Sequence, residues 1–312
     1  MGEMKKAQYV WMDGKMIPFD DAKIHIFSPT ARYGTNAFEG LRAYWNAEKR
    51  DLYSFRIREH CQRLFETMKI MRLNIEYSLS DCEGLLVEVL RKNNFQEDLH
   101  IRHTVYVGGF GGYDSRKPTG MAIVPRPLER LYDLEKGVRC SISSWVRISD
   151  NCVPPRAKVG SNYQNSRLAT MQAKEDGYDQ AIILDSQGKV SECGGSCFFM
   201  IRNGIVVTPP ITASILEGVT RDTLIELCRS ELNLPLQERS IDRTEVYVAE
   251  EALLCGSGAE VVPIISVDKI PLGSGKAGPI TQKIIKVYFE IVRGNNPKYF
   301  KWLTPTYGRL VG

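Results

Sequence analysis

The chain has 312 residues, 43% of them hydrophobic and 25% charged. That is the balance of an ordinary soluble globular protein; it excludes a disordered or coiled-coil chain, and the length predicts two packed domains. The formal net charge of +4, from 41 basic and 37 acidic residues, has no basic tail or stripe behind it, which argues against nucleic acid and suits a protein that handles small anions.

No apolar run reaches the roughly 18 residues of a membrane span. Met1 to Lys15 has no apolar core followed by a small-residue cleavage site, so no secretory signal is expected. Lys6 stands where a myristoylation signal after Gly2 needs Ser or Thr. The eight cysteines are scattered, with only Cys193 and Cys197 close together, and there are four histidines and no CxxC pair. The expectation is reduced thiols in the cytoplasm and no metal site.

In chain order, residues 8–11 and 16–18 flank Asp13-Gly14 and predict a hairpin. Residues 23–27 read as a short strand, as do 38–44 and 52–55. A helix over 57–71 follows, with Cys61, Leu64, Phe65, Met68 and Met71 at helical spacing. Ser80 is a candidate N-cap for a second helix, which runs to about Lys92. In the strand 100–107, Ile101, His103, Val105 and Val107 point one way and His100, Arg102, Thr104 and Tyr106 the other. A Gly-rich stretch over 108–120, a strand at 122–124 and an irregular polar segment over 126–137 follow, and the domain boundary belongs in that segment. The second half reads as strand 138–145, loop 147–158 with Pro154-Pro155, helix 162–175 and strands 180–184, 190–192, 197–201 and 205–208. Helices at 220–231 and 246–250, a strand at 260–265 and a helix at 280–293 complete it. Strands and helices mix without a regular βαβ cycle, which predicts an α+β fold.

Three stretches carry chemistry. In RAKVGSNYQNSR (156–167), Lys158 follows two prolines and precedes a helix start. A long amine on a constrained loop suits a Schiff base with a carbonyl cofactor, although an ordinary surface lysine is the commoner fate. In VSECGGSCFF (190–199), Glu192 ends a strand before a Gly-Gly turn that permits close backbone approach to a ligand. A buried carboxylate there could keep a heterocycle nitrogen protonated; an exposed strand-end Glu is the bland alternative. In ILEGVTRD (215–222), Gly218 precedes a helix whose first N–H groups could hold a phosphate, or simply start a helix.

Together, in order and spacing, these stretches resemble the class IV aminotransferases, most closely the branched-chain amino-acid aminotransferases. The resemblance runs from Tyr9 to about Phe289. It is carried by YVWMDGKMIP (9–18), YGTNAFEGLRAY (33–44), FRIREHCQRL (55–64), AKVGSNYQNS (157–166), the strand over 177–184, SECGGSCFF (191–199), GVTRD (218–222) and CGSGAEVVP (255–263). It implies the two-domain fold-type IV architecture of D-amino-acid aminotransferase-like enzymes. That fold has a small N-terminal α/β domain (1–130), an interdomain segment (131–137) and a larger C-terminal pseudo-barrel domain (138–312), with the cofactor between the domains.

The cofactor so implied is pyridoxal 5'-phosphate. Lys158 would hold it covalently and move the substrate proton, Glu192 would pair with the pyridine nitrogen, and Tyr163 would bond the ring hydroxyl. Arg63, Val219, Thr220 and Ser257 would hold the phosphate. Tyr33, Phe38, His100 and Arg102 would line the substrate pocket, and the backbone at Gly258 and Ala259 would receive the substrate carboxylate. The implied activity is transfer between L-leucine, L-isoleucine or L-valine and 2-oxoglutarate, in branched-chain amino-acid biosynthesis, by a homodimer or higher homo-oligomer.

Three positions depart from the family pattern. His100 stands where an aromatic, commonly Tyr, is usual; PRPLERLYD (125–133) does not align with the segment that supplies an aromatic, for which Tyr132 is the candidate; and Ser257 replaces a Thr. The first two touch the pocket, where discrimination between similar side chains is worth only about 1–3 kcal/mol. They keep open a class IV enzyme for D-amino acids or (R)-amines, or an aminodeoxychorismate lyase-like enzyme. A non-catalytic binding protein on the same fold is disfavoured by the presence of both Lys158 and Glu192.

Overall fold

The computed structural model describes residues 5–308. The reading of the N-terminus rests in part on residues 1–4, which lie outside the described residues. The chain forms two compact units. Unit 1 takes the residues up to Glu129, Ala157–Ser161 and the residues from Glu290 on; unit 2 takes Arg130–Arg156 and Asn162–Phe289. Lys158 therefore belongs to unit 1 with the short segment Ala157–Ser161, although the chain before and after that segment belongs to unit 2.

The strands are β1 (Tyr9–Met12), β2 (Lys15–Pro18), β3 (Asn36–Asn46), β4 (Asp51–Phe55), β5 (Leu99–Val107), β6 (Thr119–Pro127), β7 (Val138–Val146) and β8 (Gln180–Leu184). They continue as β9 (Val190–Cys193), β10 (Cys197–Arg202), β11 (Ile205–Thr208), β12 (Leu236–Glu238), β13 (Glu251–Gly256), β14 (Glu260–Val267), β15 (Ile270–Pro271) and β16 (Leu303–Pro305). The helices are α1 (Pro29–Tyr33), α2 (Ile57–Met71), α3 (Leu79–Asn93), α4 (Tyr163–Glu175), α5 (Val219–Ser230), α6 (Arg243–Tyr247) and α7 (Pro279–Val292).

Among the described residues, unit 1 has one sheet in the order β16-β4-β3-β5-β6-β1-β2. Its core lies on the face that carries Leu41, Ala43, Ile101 and Val105, and there Leu64, Met68, Leu86 and Leu90 of α2 and α3 pack. The alternation of β5 places Ile101 and Val105 on that face, and burying each such side chain stabilises by about 1.5–3 kcal/mol. His103 shares the core face and is fully buried, with neither ring nitrogen hydrogen-bonded. Burial lowers its imidazole to about 4, so it packs as a neutral ring.

The sheet of unit 2 runs β12-β11-β10-β13-β14-β7-β8-β9, with β15 on β14. Ile142, Ile182, Phe198, Met200, Leu254 and Val262 fill its core. Helix α4 lays Ala169 and Ala173 on Ala181 and Ile183 of β8, where small residues allow close approach.

Several expectations need correction. Residues 23–27 form no strand, and Ile26 there is 80% exposed, so its alternation marks no buried face. Ser78, not Ser80, caps α3, in a reciprocal capping box with Asp81. The short helix expected at 246–250 lies at Arg243–Tyr247. Strand β13 was not anticipated, yet it joins β10 to β14 near the middle of the sheet. Strand β6 extends to Pro127, into the segment read as irregular, and so gives Arg126 a fixed place in the sheet.

Candidate active site

In unit 1 the segment around Lys158 is held by its backbone. The Phe38 N–H donates to the Lys158 carbonyl (2.9 Å), the Lys158 N–H donates to Thr67 Oγ1 (3.1 Å), and the Gly160 N–H donates to Asn36 Oδ1 (3.0 Å). Strand β3 and helix α2 thus fix where the lysine side chain starts. Its ammonium lies 5.0 Å from the centre of the Phe38 ring, and the Arg102 guanidinium lies 4.0 Å from the same centre. Phe38 and Arg102 project from the sheet face opposite the unit 1 core, so the structure brings Lys158, Phe38 and Arg102 together.

On the core face, Glu39 is fully buried and accepts from Arg63 Nε and Nη2 at 2.7 and 2.9 Å, a two-pronged pair. His60 Nδ1 lies 2.7 Å from Glu39 Oε2. Burial works to raise the Glu39 carboxyl, but the Arg63 and His60 charges outweigh it and hold the carboxyl well below the usual range. Burial likewise pushes the His60 imidazole below its ordinary value, against the pull of Glu39. The sequence did not single out Glu39 or His60. Their effect is to fix the Arg63 fork, and those two donors are then committed to Glu39 rather than to a phosphate.

In unit 2 the Glu192 carboxylate is buried and partnered on both oxygens. Arg147 Nη2 is 2.6 Å from Oε1, and the Leu216 N–H donates to Oε2 at 3.0 Å. Arg147 is itself buried and also donates to Ser166 Oγ (3.2 Å) and the Ser214 carbonyl (3.3 Å). These contacts fix the orientation of the Glu192 carboxylate, whose negative charge suits a protonated ring nitrogen. Arg147 had no signal in the sequence beyond its place at the end of β7.

The Leu216 peptide also faces Cys197, whose Sγ lies 3.7 Å from the Leu216 carbonyl, and Cys197 of β10 lies opposite Cys255 of β13. These links tie the end of β9, the start of α5 and the turn after β13 to one end of the sheet. Val219 and Thr220 form the first turn of α5 and are buried; Gly218 is the N-cap and gives no side-chain cap. An uncapped helix start aims backbone N–H groups outward and fits a phosphate. Ser257, Gly258 and Ala259 form the turn between β13 and β14. Tyr163 is the first residue of α4.

Other expectations are revised. Gly194 does not adopt a left-handed conformation; its missing side chain makes room for the Thr170 hydroxyl of α4. Tyr132 packs against the unit 2 core and accepts from Gln180 Nε2 (2.6 Å), which makes it a packing residue there. Tyr33 is 42% exposed and stacks edge-on against Tyr113, with ring centres 6.5 Å apart, so unit 1 does not gather it with Phe38 and Arg102.

A lysine held over an aromatic ring and a carboxylate held by a buried guanidinium are the parts expected of a pyridoxal-phosphate enzyme, and comparison with known proteins agrees. The amino-transferase class IV family matches residues 36–267, most of the chain, and the chain belongs to that family, whose members use pyridoxal 5'-phosphate. It is similar to a probable branched-chain-amino-acid aminotransferase of Aquifex aeolicus, 40% identical over 309 residues that cover 96% of this chain and 97% of the relative. Among solved structures it is similar to the branched-chain aminotransferase of Thermoproteus uzoniensis with norvaline, with TM-score 0.92 and 41% identity over 96% of this chain and 100% of that one. It is also similar to the PLP-form of the branched-chain amino acid aminotransferase of Thermobaculum terrenum, with TM-score 0.92 and 37% identity over 97% and 100% of the two chains.

Proposed function

We propose that this protein transfers amino groups between L-branched-chain amino acids and 2-oxoglutarate. The observation that carries the reading is its near-full-length likeness to relatives named for that activity. When bound, pyridoxal phosphate supplies an electron sink conjugated with the substrate Cα. The residues supply the rest. Lys158 Nζ would hold the cofactor between turnovers and, once released, would move the proton from the substrate Cα to the cofactor carbon, the reverse movement serving the second half-reaction. Glu192, kept in place by Arg147 and the Leu216 N–H, accepts from the pyridine nitrogen. Tyr163 donates to the ring hydroxyl. The first turn of α5 (Val219, Thr220), Ser257 and Arg63 receive the phosphate. Phe38, His100 and Arg102 bound the substrate side chain, and the Gly258-Ala259 turn receives the substrate carboxylate.

We further propose that the chain is organised as two domains dividing near residue 130 and works in the cytoplasm as a homodimer or larger homo-oligomer. No helix among the described residues is long and apolar enough to cross a membrane. Ile26 and Phe110 are 80% and 72% exposed, and the Phe110 ring packs near Phe27, which is also exposed, at 6.2 Å. A cluster of that kind marks an interaction surface, and a second copy of the chain is its occupant in this reading.

The test is a donor panel. The purified protein is mixed separately with L-leucine, L-valine, D-alanine and an (R)-arylalkylamine, and the long-wavelength cofactor absorbance is followed. Rapid loss with L-leucine and L-valine is the expected result. Loss with only D-alanine or the amine would contradict the branched-chain reading and move the protein to one of the other class IV activities.

A further inference from the structure

Helix α5 of unit 2 begins with two charges of opposite sign. Its first turn carries Arg221 and Asp222. Asp222 is exposed and has the sign that the positive end of a helix favours. Arg221 has the other sign and is only 5% exposed. The helix dipole and desolvation both oppose a buried cation at that place, so it needs partners outside the helix.

The partners are on the sheet. Arg221 Nη2 donates to Glu238 Oε2 (2.9 Å) and to the Pro209 carbonyl (2.8 Å), and Nε donates to Thr208 Oγ1 (3.4 Å). Thr208 ends β11, Glu238 ends β12, and the two are register partners in that parallel pair. The Thr208 hydroxyl donates in turn to the Phe198 carbonyl of β10 (2.8 Å). One side chain thus ties the first turn of α5 to the ends of two strands directly and to a third through Thr208. Burial works to raise the Glu238 carboxyl, but Arg221 and then Arg229, whose Nη2 is 3.3 Å from Oε1, outweigh it and hold the carboxyl below its ordinary range. The N-cap is seated on the sheet as well. A Cβ at Gly218 would lie 2.8 Å from Cys197 Sγ of β10 and 3.4 Å from Arg221 Cβ, so glycine there allows the close approach.

The Arg221 fork is therefore committed to the sheet, which makes it a support for the helix start and not a ligand of an anion bound there. We propose that Arg221 is a positioning residue for the cofactor phosphate. It holds the Val219 and Thr220 N–H groups and the Thr220 hydroxyl in the place where the phosphate is received, without touching it. The inference rests on the reading of the first turn of α5 as a phosphate-binding turn.

The experiment titrates the full-length protein, freed of cofactor, with pyridoxal phosphate and separately with pyridoxal, which lacks the phosphate. A general loosening of the fold would weaken both compounds alike, whereas a displaced helix start weakens only the first. Arg221→Met is expected to raise the pyridoxal phosphate Kd about tenfold and to move the phosphorus-NMR resonance of the bound cofactor, with the pyridoxal Kd within about twofold of wild type. An unchanged pyridoxal phosphate Kd, or an equal loss for both compounds, would overturn the proposal. Should that variant fail to fold, Glu238→Gln decides: a rise of about threefold for pyridoxal phosphate alone supports the proposal, and no rise or an equal one overturns it. Thr220→Val separates the two readings. A phosphate-specific loss in Thr220→Val but not in Arg221→Met would keep α5 as the phosphate turn and remove Arg221 from its part. Equal affinity of the wild type for the two compounds would overturn both.

Discussion

Replacing Lys158 with alanine is expected to reduce amino-group transfer by about 10³-fold or more and to abolish the absorbance of the covalently held cofactor. The size of the effect follows from the number of tasks that fall to one amine. It holds the cofactor, leaves it when substrate binds, and carries the Cα proton in both half-reactions. No neighbour in unit 1 can take over. Arg102 and Arg63 stay protonated at any working pH, and His60 is buried beside Glu39 on the core face. The backbone that carries Lys158 is held by Phe38, Thr67 and Asn36 through bonds that involve no atom of the lysine side chain beyond Cα. The alanine variant should therefore fold, and a thermal melt close to wild type beside a lost reaction is the expected pair of results. Retained transfer would remove Lys158 from its role.

Glu192→Gln is expected to leave the cofactor bound and to slow turnover roughly 10²–10³-fold, the range seen when one preorganised electrostatic partner is removed. Glutamine keeps an oxygen for the Leu216 N–H but removes the negative charge that faces Arg147. It can no longer stabilise a protonated pyridine nitrogen, so the electron sink weakens while the shape of the site persists. The substitution also leaves the Arg147 charge buried without its counter-ion, which by itself costs about 3–5 kcal/mol. The readout must therefore separate a slow enzyme from an unstable one. Cofactor absorbance and melting temperature report the second, and single-turnover rate with bound cofactor reports the first. A rate equal to wild type would dismiss Glu192 from the proposed role.

The parts of this protein that could be read from sequence are those in which local pattern and tertiary environment agree. Helix α2 was bounded correctly because its apolar residues recur at helical spacing and face a single core. Strand β5 was read correctly, with its two faces, because its alternation is unbroken. Strand β13 escaped because Ala252–Cys255 is buried throughout and has no alternation to detect. The opposite error came from 23–27, where Ile24 and Ile26 alternate with polar residues but are exposed. At the site, Lys158 and Glu192 were legible through the wording of their stretches. Arg147 and Glu39 were not, because each acts through a partner distant in sequence that only folding brings near. The surroundings of His100 were half legible. Alternation assigned His100 its face, but that Arg42 and Arg126 lie opposite it depends on strand register, and a single sequence does not fix that between distant strands.

The proposed chemistry depends most on Lys158 as the point of covalent attachment. Treatment of the holoenzyme with borohydride, which reduces a carbon–nitrogen double bond to a stable single bond, followed by peptide mapping, tests this without assuming any substrate. The added pyridoxyl mass is expected on the peptide that contains Lys158, and only there. Label on a different lysine, or no label on a holoenzyme that transfers amino groups, would contradict it.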